Sequence, residues 1–187
     1  MEPSRAGVLA YLALEGPTDR LKLSQLLWEG APPTRARNNL ARLVFRLRQS
    51  HPGVCVVGPG SLSLAEDVVV DVSLLEATAE RQDHRSAVPH AGVFLEGCAF
   101  EAAEQDAGRC ELQDWMERQR NRLRELQRVA HLGLIRQLDQ ERRLPEALEL
   151  AKKACSLFPE KEDAWHSRIQ LHRVMGDQDA ALEAFRE

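Results

Sequence analysis

Hydrophobic and polar positions follow a helical period over most of this chain, broken once by a short stretch of alternating character. Arg5 to Leu14 is almost wholly apolar and predicts a short helix ended by Gly16-Pro17. Leu23, Leu26 and Leu27 are spaced as the buried positions of a second helix, Arg20 to Trp28, with Asp19 or Thr18 as its cap. After the loop Glu29 to Pro33, a third helix is expected from Thr34 to Ser50. Pro32 and Pro33 punctuate its start, the Thr34 hydroxyl is placed to cap it, and His51-Pro52-Gly53 stops it. The period then changes. Val54 to Val57 and Leu62 to Leu64 are β-prone runs around Gly58-Pro59-Gly60-Ser61, which is a hairpin signal. Val68 to Val72 predicts a last short strand leading into a helix from Ser73 to Arg81.

Residues 82–108 read as an irregular connection, with Pro89 and glycines at 92, 97 and 108. Its apolar patch Val93-Phe94-Leu95 is expected to dock Phe94 and Leu95 on a neighbouring domain. From Glu111 the chain reads as helical to its end. Leu112, Trp115, Met116, Leu123, Leu126 and Val129 form an apolar stripe. Arg118, Arg120, Arg122, Arg124 and Arg128 alternate there with Glu117 and Glu125, as on a solvated, salt-bridged face. Further helices are expected at Val129–Gln140, Leu144–Ser156, Asp163–Met175 and Gln178–Glu187.

This last part repeats. His131 and Trp165 lie 34 residues apart, as do Ile135 and Ile169, Ala147 and Ala181, Leu148 and Leu182, and Ala151 and Phe185. A 34-residue period with small residues at the helix contacts, and Pro159 closing the unit, is the tetratricopeptide signature. Such units bury their faces only by stacking, and about three are needed for stability. The chain stops inside the fourth of these helices, which reads as truncation of a longer protein.

Charge changes the picture at the third helix. Thr34 to Ser50 holds Arg35, Arg37, Arg42, Arg46 and Arg48 and no acid. At about 100° per residue, Ala36, Leu40, Leu43, Val44 and Leu47 share one face. Arg35, Asn38, Asn39, Arg42, Arg46 and Gln49 share the other. Guanidinium and amide groups make paired hydrogen bonds to base edges, arginine to guanine and Asn or Gln to adenine. Arg37 and Arg48 lie on a flank where a phosphate backbone would pass. Phe45 sits at the edge of the polar face, placed for a thymine methyl or a neighbouring element. A plain solvated basic face is the competing reading, but surface helices are usually mixed in sign. The net charge of −4 hides the asymmetry. Arg20 to Leu64 carries seven Lys or Arg against one acid, Glu29, whereas from Glu76 onward 17 basic residues face 22 acidic ones. A local basic module beside an acidic domain points to nucleic acid.

Other chemistry is thinly represented. No run of about 18 apolar residues predicts a membrane span, and no basic and apolar leader opens the chain. The four cysteines, at 55, 98, 110 and 155, form no Cys-x-x-Cys pair and read as reduced thiols of a cytoplasmic protein. His84, His90, Cys98 and Cys110 match no common zinc spacing, so no metal is expected. Gly58 to Ser61 lacks the Gly-Lys-Ser/Thr ending of a phosphate loop. No nucleophile has a base motif nearby, so an enzyme is not expected, and no cofactor is implied. The hairpin tip carries no Lys or Arg, which leaves backbone amides or Ser61 for any contact there.

Three helices, the third basic, followed by a hairpin make a winged helix-turn-helix order. The fold expected is mainly α: a winged helix-turn-helix with a small β-hairpin over 1–80, a connection over 81–110, and an all-α tetratricopeptide-like domain over 111–187. The chain resembles bacterial transcriptional activators of the antibiotic-regulatory-protein type, which join an OmpR-like winged helix to a bacterial transcriptional activator domain of tetratricopeptide-like helices. The residues that carry the resemblance are Leu9 to Leu14, Leu26-Leu27-Trp28, Ala36-Arg37-Asn38-Asn39-Leu40 through Leu43 to Leu47-Arg48, and Val70-Asp71-Val72. It continues through Phe94-Leu95-Glu96-Gly97, Trp115-Met116 with Arg120 and Leu123, Leu144 to Pro159, Ala164-Trp165 and Gly176-Asp177. Relatives carry a small N-terminal sheet ahead of the first helix, where this chain has a few residues, and an aromatic in the wing strand, where it has Ser63 or a neighbour.

The resemblance implies a double-stranded-DNA-binding regulator, in the first instance an activator, that recruits RNA polymerase. The loop before the recognition helix, Glu29, Gly30, Ala31, Pro32 and Pro33, would face polymerase. The helical domain would serve regulation, self-association or a protein partner. A protein-interaction adaptor with a degenerate N-terminal domain is the alternative.

Overall fold

The computed structural model describes residues 3–90, 92, 94, 95 and 111–186. Among them are nine α-helices, one 3-10 turn and one three-stranded antiparallel sheet. Val93, Glu96, Gly97, Cys98, Gly108, Cys110 and Glu187, all named above, lie outside the described residues. The chain divides into two compact units that interleave along the sequence. One is Met1–Ser73 with Val93–Asn121, the other Leu74–Gly92 with Arg122–Glu187.

In the first unit, α1 (Pro3–Glu15) ends where Gly16 takes a left-handed φ of 73°. β1 (Thr18–Asp19) follows, then α2 (Arg20–Leu27). Asp19 is the cap of α2, accepting from the Leu21 and Lys22 amides at 2.8 and 3.1 Å. α3 spans Pro33–Ser50. Its cap is Pro32 and makes no side-chain hydrogen bond, so the expected Thr34 cap is not formed. The reason is local: Pro33 has no amide hydrogen to satisfy, so the helix starts on it and Thr34 falls inside the first turn.

The hairpin forms from β2 (Cys55–Val57) and β3 (Ser61–Leu64), pairing Cys55 with Leu64 and Val57 with Leu62. The sheet order is β1-β3-β2, because Thr18 and Asp19 pair with Leu62 and Ser61 on the far edge of β3. Val68 to Val70 do not make the expected strand. Val69 is 77% exposed, and α4 (Asp71–Glu80) begins at once, with the Asp71 carboxylate accepting from the Val72 amide. A β-prone run need not join a sheet, because strand preference reflects packing on a sheet more than the backbone itself.

The core of this unit gathers Val8, Tyr11 and Leu12 of α1, Leu23 and Leu26 of α2, Leu40, Leu43, Val44 and Leu47 of α3, and Leu62 of β3. Leu112, Trp115 and Met116, from the first turns of α6 (Glu111–Gln140), belong to the same core. The Trp115 ring lies 4.9 Å from Tyr11 and its indole N–H donates to Glu15 Oε1 at 2.7 Å. Phe94 packs edge-on against Trp115, and the Phe94 and Leu95 carbonyls accept from the Arg120 guanidinium at 3.2 and 3.1 Å. Glu29 accepts from the backbone amide of Glu111 at 2.9 Å, satisfying one of the free donors at the start of α6.

The second unit takes the rest of α4, α5 (His84–Ala87), the 3-10 turn Val88–His90, the remainder of α6, α7 (Leu144–Leu157), α8 (Glu162–Val174) and α9 (Gln178–Arg186). Part of the stretch expected to be irregular is therefore helical, with Asp83 capping α5 through the Ser86 amide. α6 runs unbroken through 30 residues, so no new helix starts at Val129. The core is Leu132, Ile135 and Leu138 of α6 against Ala147, Ala151 and Ala154 of α7 and Ala164 and Leu171 of α8.

One turn geometry recurs in this unit. Arg142 and Gly176, 34 positions apart, both take a left-handed φ, 60° and 80°. Each turn closes with the same pair of bonds: the Arg143 amide to the Leu138 carbonyl and Arg142 to Asp139, then Asp177 to His172 and Gly176 to Arg173. Gln82, at φ 55°, closes α4 in the same way. This is the helix-ending geometry that favours glycine, yet only Gly176 marks it in the sequence. The period does not extend to burial: Ala147 and Ala181 are both buried, but Ala151 is buried where Phe185 is 77% exposed.

Candidate nucleic-acid interface

The helical period of α3 decides which side chains face outward. Ala36, Leu40, Leu43, Val44 and Leu47 are buried in the first unit. Arg35, Arg37, Asn38, Arg42, Arg46 and Arg48 are exposed, and Asn39 is half-buried. Among the described residues, none of these five guanidiniums has an ion pair or a hydrogen-bond acceptor.

Three arginines of α6 behave differently. Arg122 pairs with Glu76, Arg124 with Glu160 at 3.0 Å, and Arg128 with both Glu125 and Asp163. The Arg128 hydrogen bond holds the Glu125 carboxyl below its ordinary pKa. Arg122, Arg124 and Arg128 are therefore neutralised within the fold, whereas among the described residues the α3 set, like Arg118 and Arg136 of α6, has no carboxylate partner.

Two depressions flank α3. The first, about 210 Å³, is lined by Asn39, Arg42, Leu43 and Arg46 with Trp28 from the end of α2 and Ser4 from α1. The second, about 500 Å³, lies on the other side and is lined by Ala41, Phe45, Arg48 and Gln49 with Val57 of β2 and Arg20. Arg37 and Arg48 stand on this second flank, apart from Arg35, Asn39 and Arg46.

Phe45 is 62% exposed. It stands at the edge of the amide and arginine face, between Asn38 on one side and Ala41 and Arg48 on the other, away from the buried stripe. Trp28 and Arg20 were not among the expected site residues. Trp28 has a weak sequence signal, as a large ring directly after two leucines. Arg20 has none, since the short pairing of β1 with β3 places it there, with its amide donating to Gly60 O at 2.9 Å.

At the hairpin, Gly58 N donates to Ser61 O at 3.0 Å, so the tip is closed by its own backbone. In the loop ahead of α3, Gly30 takes a left-handed φ of 77°, and Ala31, Pro32 and Pro33 are at or near the surface. Glu29 in that loop is engaged with the start of α6.

Neither His84 nor His131 belongs to a metal-binding cluster among the described residues. The His84 ring packs on Gly133, where a Cβ would collide with it. No described helix is long and apolar enough to cross a membrane. No protein-family model matches the chain, and no curated protein matches it.

Proposed function

We propose that this chain is a sequence-specific regulator of transcription that binds double-stranded DNA through a winged helix-turn-helix. α3 is its recognition helix, and the second unit is a tetratricopeptide-like activator domain. The observation that carries the reading is the unpaired arginine set of α3, beside the paired arginines of α6. Five guanidiniums brought together without acids repel one another, and an acid-free helix forgoes the ion pairs that would support it. A polyanion supplies what the fold withholds.

Arg35, Asn38, Asn39, Arg42 and Arg46 face base edges in the major groove, and Arg37 and Arg48 face phosphates. In keeping with the resemblance to antibiotic-regulatory-type activators, the loop Glu29 to Pro33 faces RNA polymerase. The second unit serves self-association or a protein partner. No chemistry is involved; the mechanism is placement of the chain on a promoter.

The test is fluorescence anisotropy of the whole chain with random-sequence duplex DNA, and with duplexes selected from such a library, across a salt series. Affinity should fall steeply with salt as counterions are released. Arg37→Ala should lower the salt slope by about one. Arg42→Ala/Arg46→Ala should also lose base discrimination, at about 1–3 kcal/mol per contact. Absence of binding at low salt, or equal binding by the double variant, would overturn the reading. The exposed Leu182 and Phe185 of α9 favour a second reading, a protein-interaction adaptor, which predicts no DNA binding at all.

A further inference from the structure

We propose that Phe45 is a specificity determinant that seats the C5-methyl group of a thymine, so that the DNA site contains a thymine at a fixed position beside the bases read by Asn38 and Gln49. The inference rests on the DNA-binding reading above. Phe45 is the one large apolar side chain exposed on α3, and it stands among arginines and amides. Ala41, one turn earlier, and Val57 of β2 line the same depression, which makes an apolar floor beside the ring. Arg20 and Arg48 also line it, and among the described residues no acid does.

That combination selects the occupant. An apolar protein surface, including a second copy of this chain, would have to cover two guanidiniums while offering acceptors to both. DNA presents the two needs together, phosphates for the rim and, at the major-groove edge of A·T pairs, a methyl group for the floor. Asn38 and Gln49 stand about two turns before and one turn after Phe45 on the same face, each able to pair with adenine.

The test uses the whole chain and fluorescein-labelled duplexes selected from a random library. Each thymine of a selected duplex is replaced in turn by deoxyuridine, which removes only the C5-methyl. One thymine position should lose affinity about fourfold, the worth of one buried methyl group, while the others change little. Phe45→Ala should bind the thymine duplex more weakly and no longer distinguish it from its uracil form. Being exposed, Phe45 is expected to be replaceable without loss of fold, which a melting curve checks. Tight, salt-sensitive binding that is insensitive to uracil everywhere would overturn the inference and leave the DNA-binding reading standing. A uracil effect that persists in Phe45→Ala would also overturn it, by assigning the methyl to another residue. No selection and no low-salt binding would remove both.

Discussion

Trp115 offers the sharpest test of how the first unit is built. Its ring is almost fully buried, with Tyr11 at 4.9 Å and Phe94 at 6.2 Å, and its N–H reaches Glu15 Oε1 at 2.7 Å. Trp115→Ala removes all of these contacts and leaves a cavity under α1, which costs about 3–5 kcal/mol for a buried tryptophan. Trp115→Phe keeps an aromatic ring against Tyr11 and deletes the hydrogen bond to a carboxylate, a loss of about 1.5–3 kcal/mol. A double-mutant cycle of Trp115→Phe with Glu15→Ala isolates that bond, and the pair should couple by more than about 0.5 kcal/mol.

The assay is native-state hydrogen exchange of the α1 amides, read by mass spectrometry on the whole chain. Trp115→Ala should accelerate the slowest α1 amides by about a hundredfold to several thousandfold, since 1.4 kcal/mol is about a factor of ten. A fragment ending at residue 80 lacks Leu112, Trp115 and Met116, and should show the same loss of protection. If that fragment protects α1 as well as the whole chain does, or if Trp115→Ala changes exchange less than about tenfold, then α6 is not part of this core and the reasoning fails.

Gly133→Ala should destabilise the second unit by about 1–3 kcal/mol in urea, because the added methyl meets the His84 ring, whereas the same change in an open helix stabilises. Arg142→Gly should stabilise that unit by about 0.5–1 kcal/mol, since the position is left-handed at φ 60°, and a lowered urea midpoint would refute the strain argument. His131 is wholly buried, with Nδ1 bonded to Gln127 O at 2.7 Å and its ring edge-on to Phe158. Burial pushes its pKa below the ordinary 6.5, so the unfolded chain binds the proton first. The second unit's stability should be complete above pH 6.5 and fall as pH drops from there towards the lowered folded value; His131→Gln should flatten that slope in urea melts.

Much of this protein is written locally. The two faces of α3 follow from a 3.6-residue period over residues 34–50 and needed no knowledge of what α3 packs against. α7, α8 and α9 begin and end within about a residue of where their apolar spacing and turn residues put them. The hairpin followed from glycine and proline between two β-prone runs. These signals are legible because each depends on neighbours in the chain.

What tertiary structure alone decided are pairings between distant segments. Val68 to Val70 has strand character yet pairs with no strand of the sheet, whereas Thr18-Asp19 has little and becomes a strand by pairing with β3. The arginines of α3 stand in an acid-free run and those of α6 alternate with Glu117 and Glu125, so the sequence already sets them apart, but it does not name the partners. Only the fold brings Glu76, Glu160 and Asp163 to α6 from 35 or more positions away and, among the described residues, brings none to α3. The first turns of α6 join the core of α1, some hundred residues earlier, through Trp115 and Glu15. Sequence periodicity states which face of an element is buried. It does not state against what, because that depends on complementary shape and charge which only folding brings together.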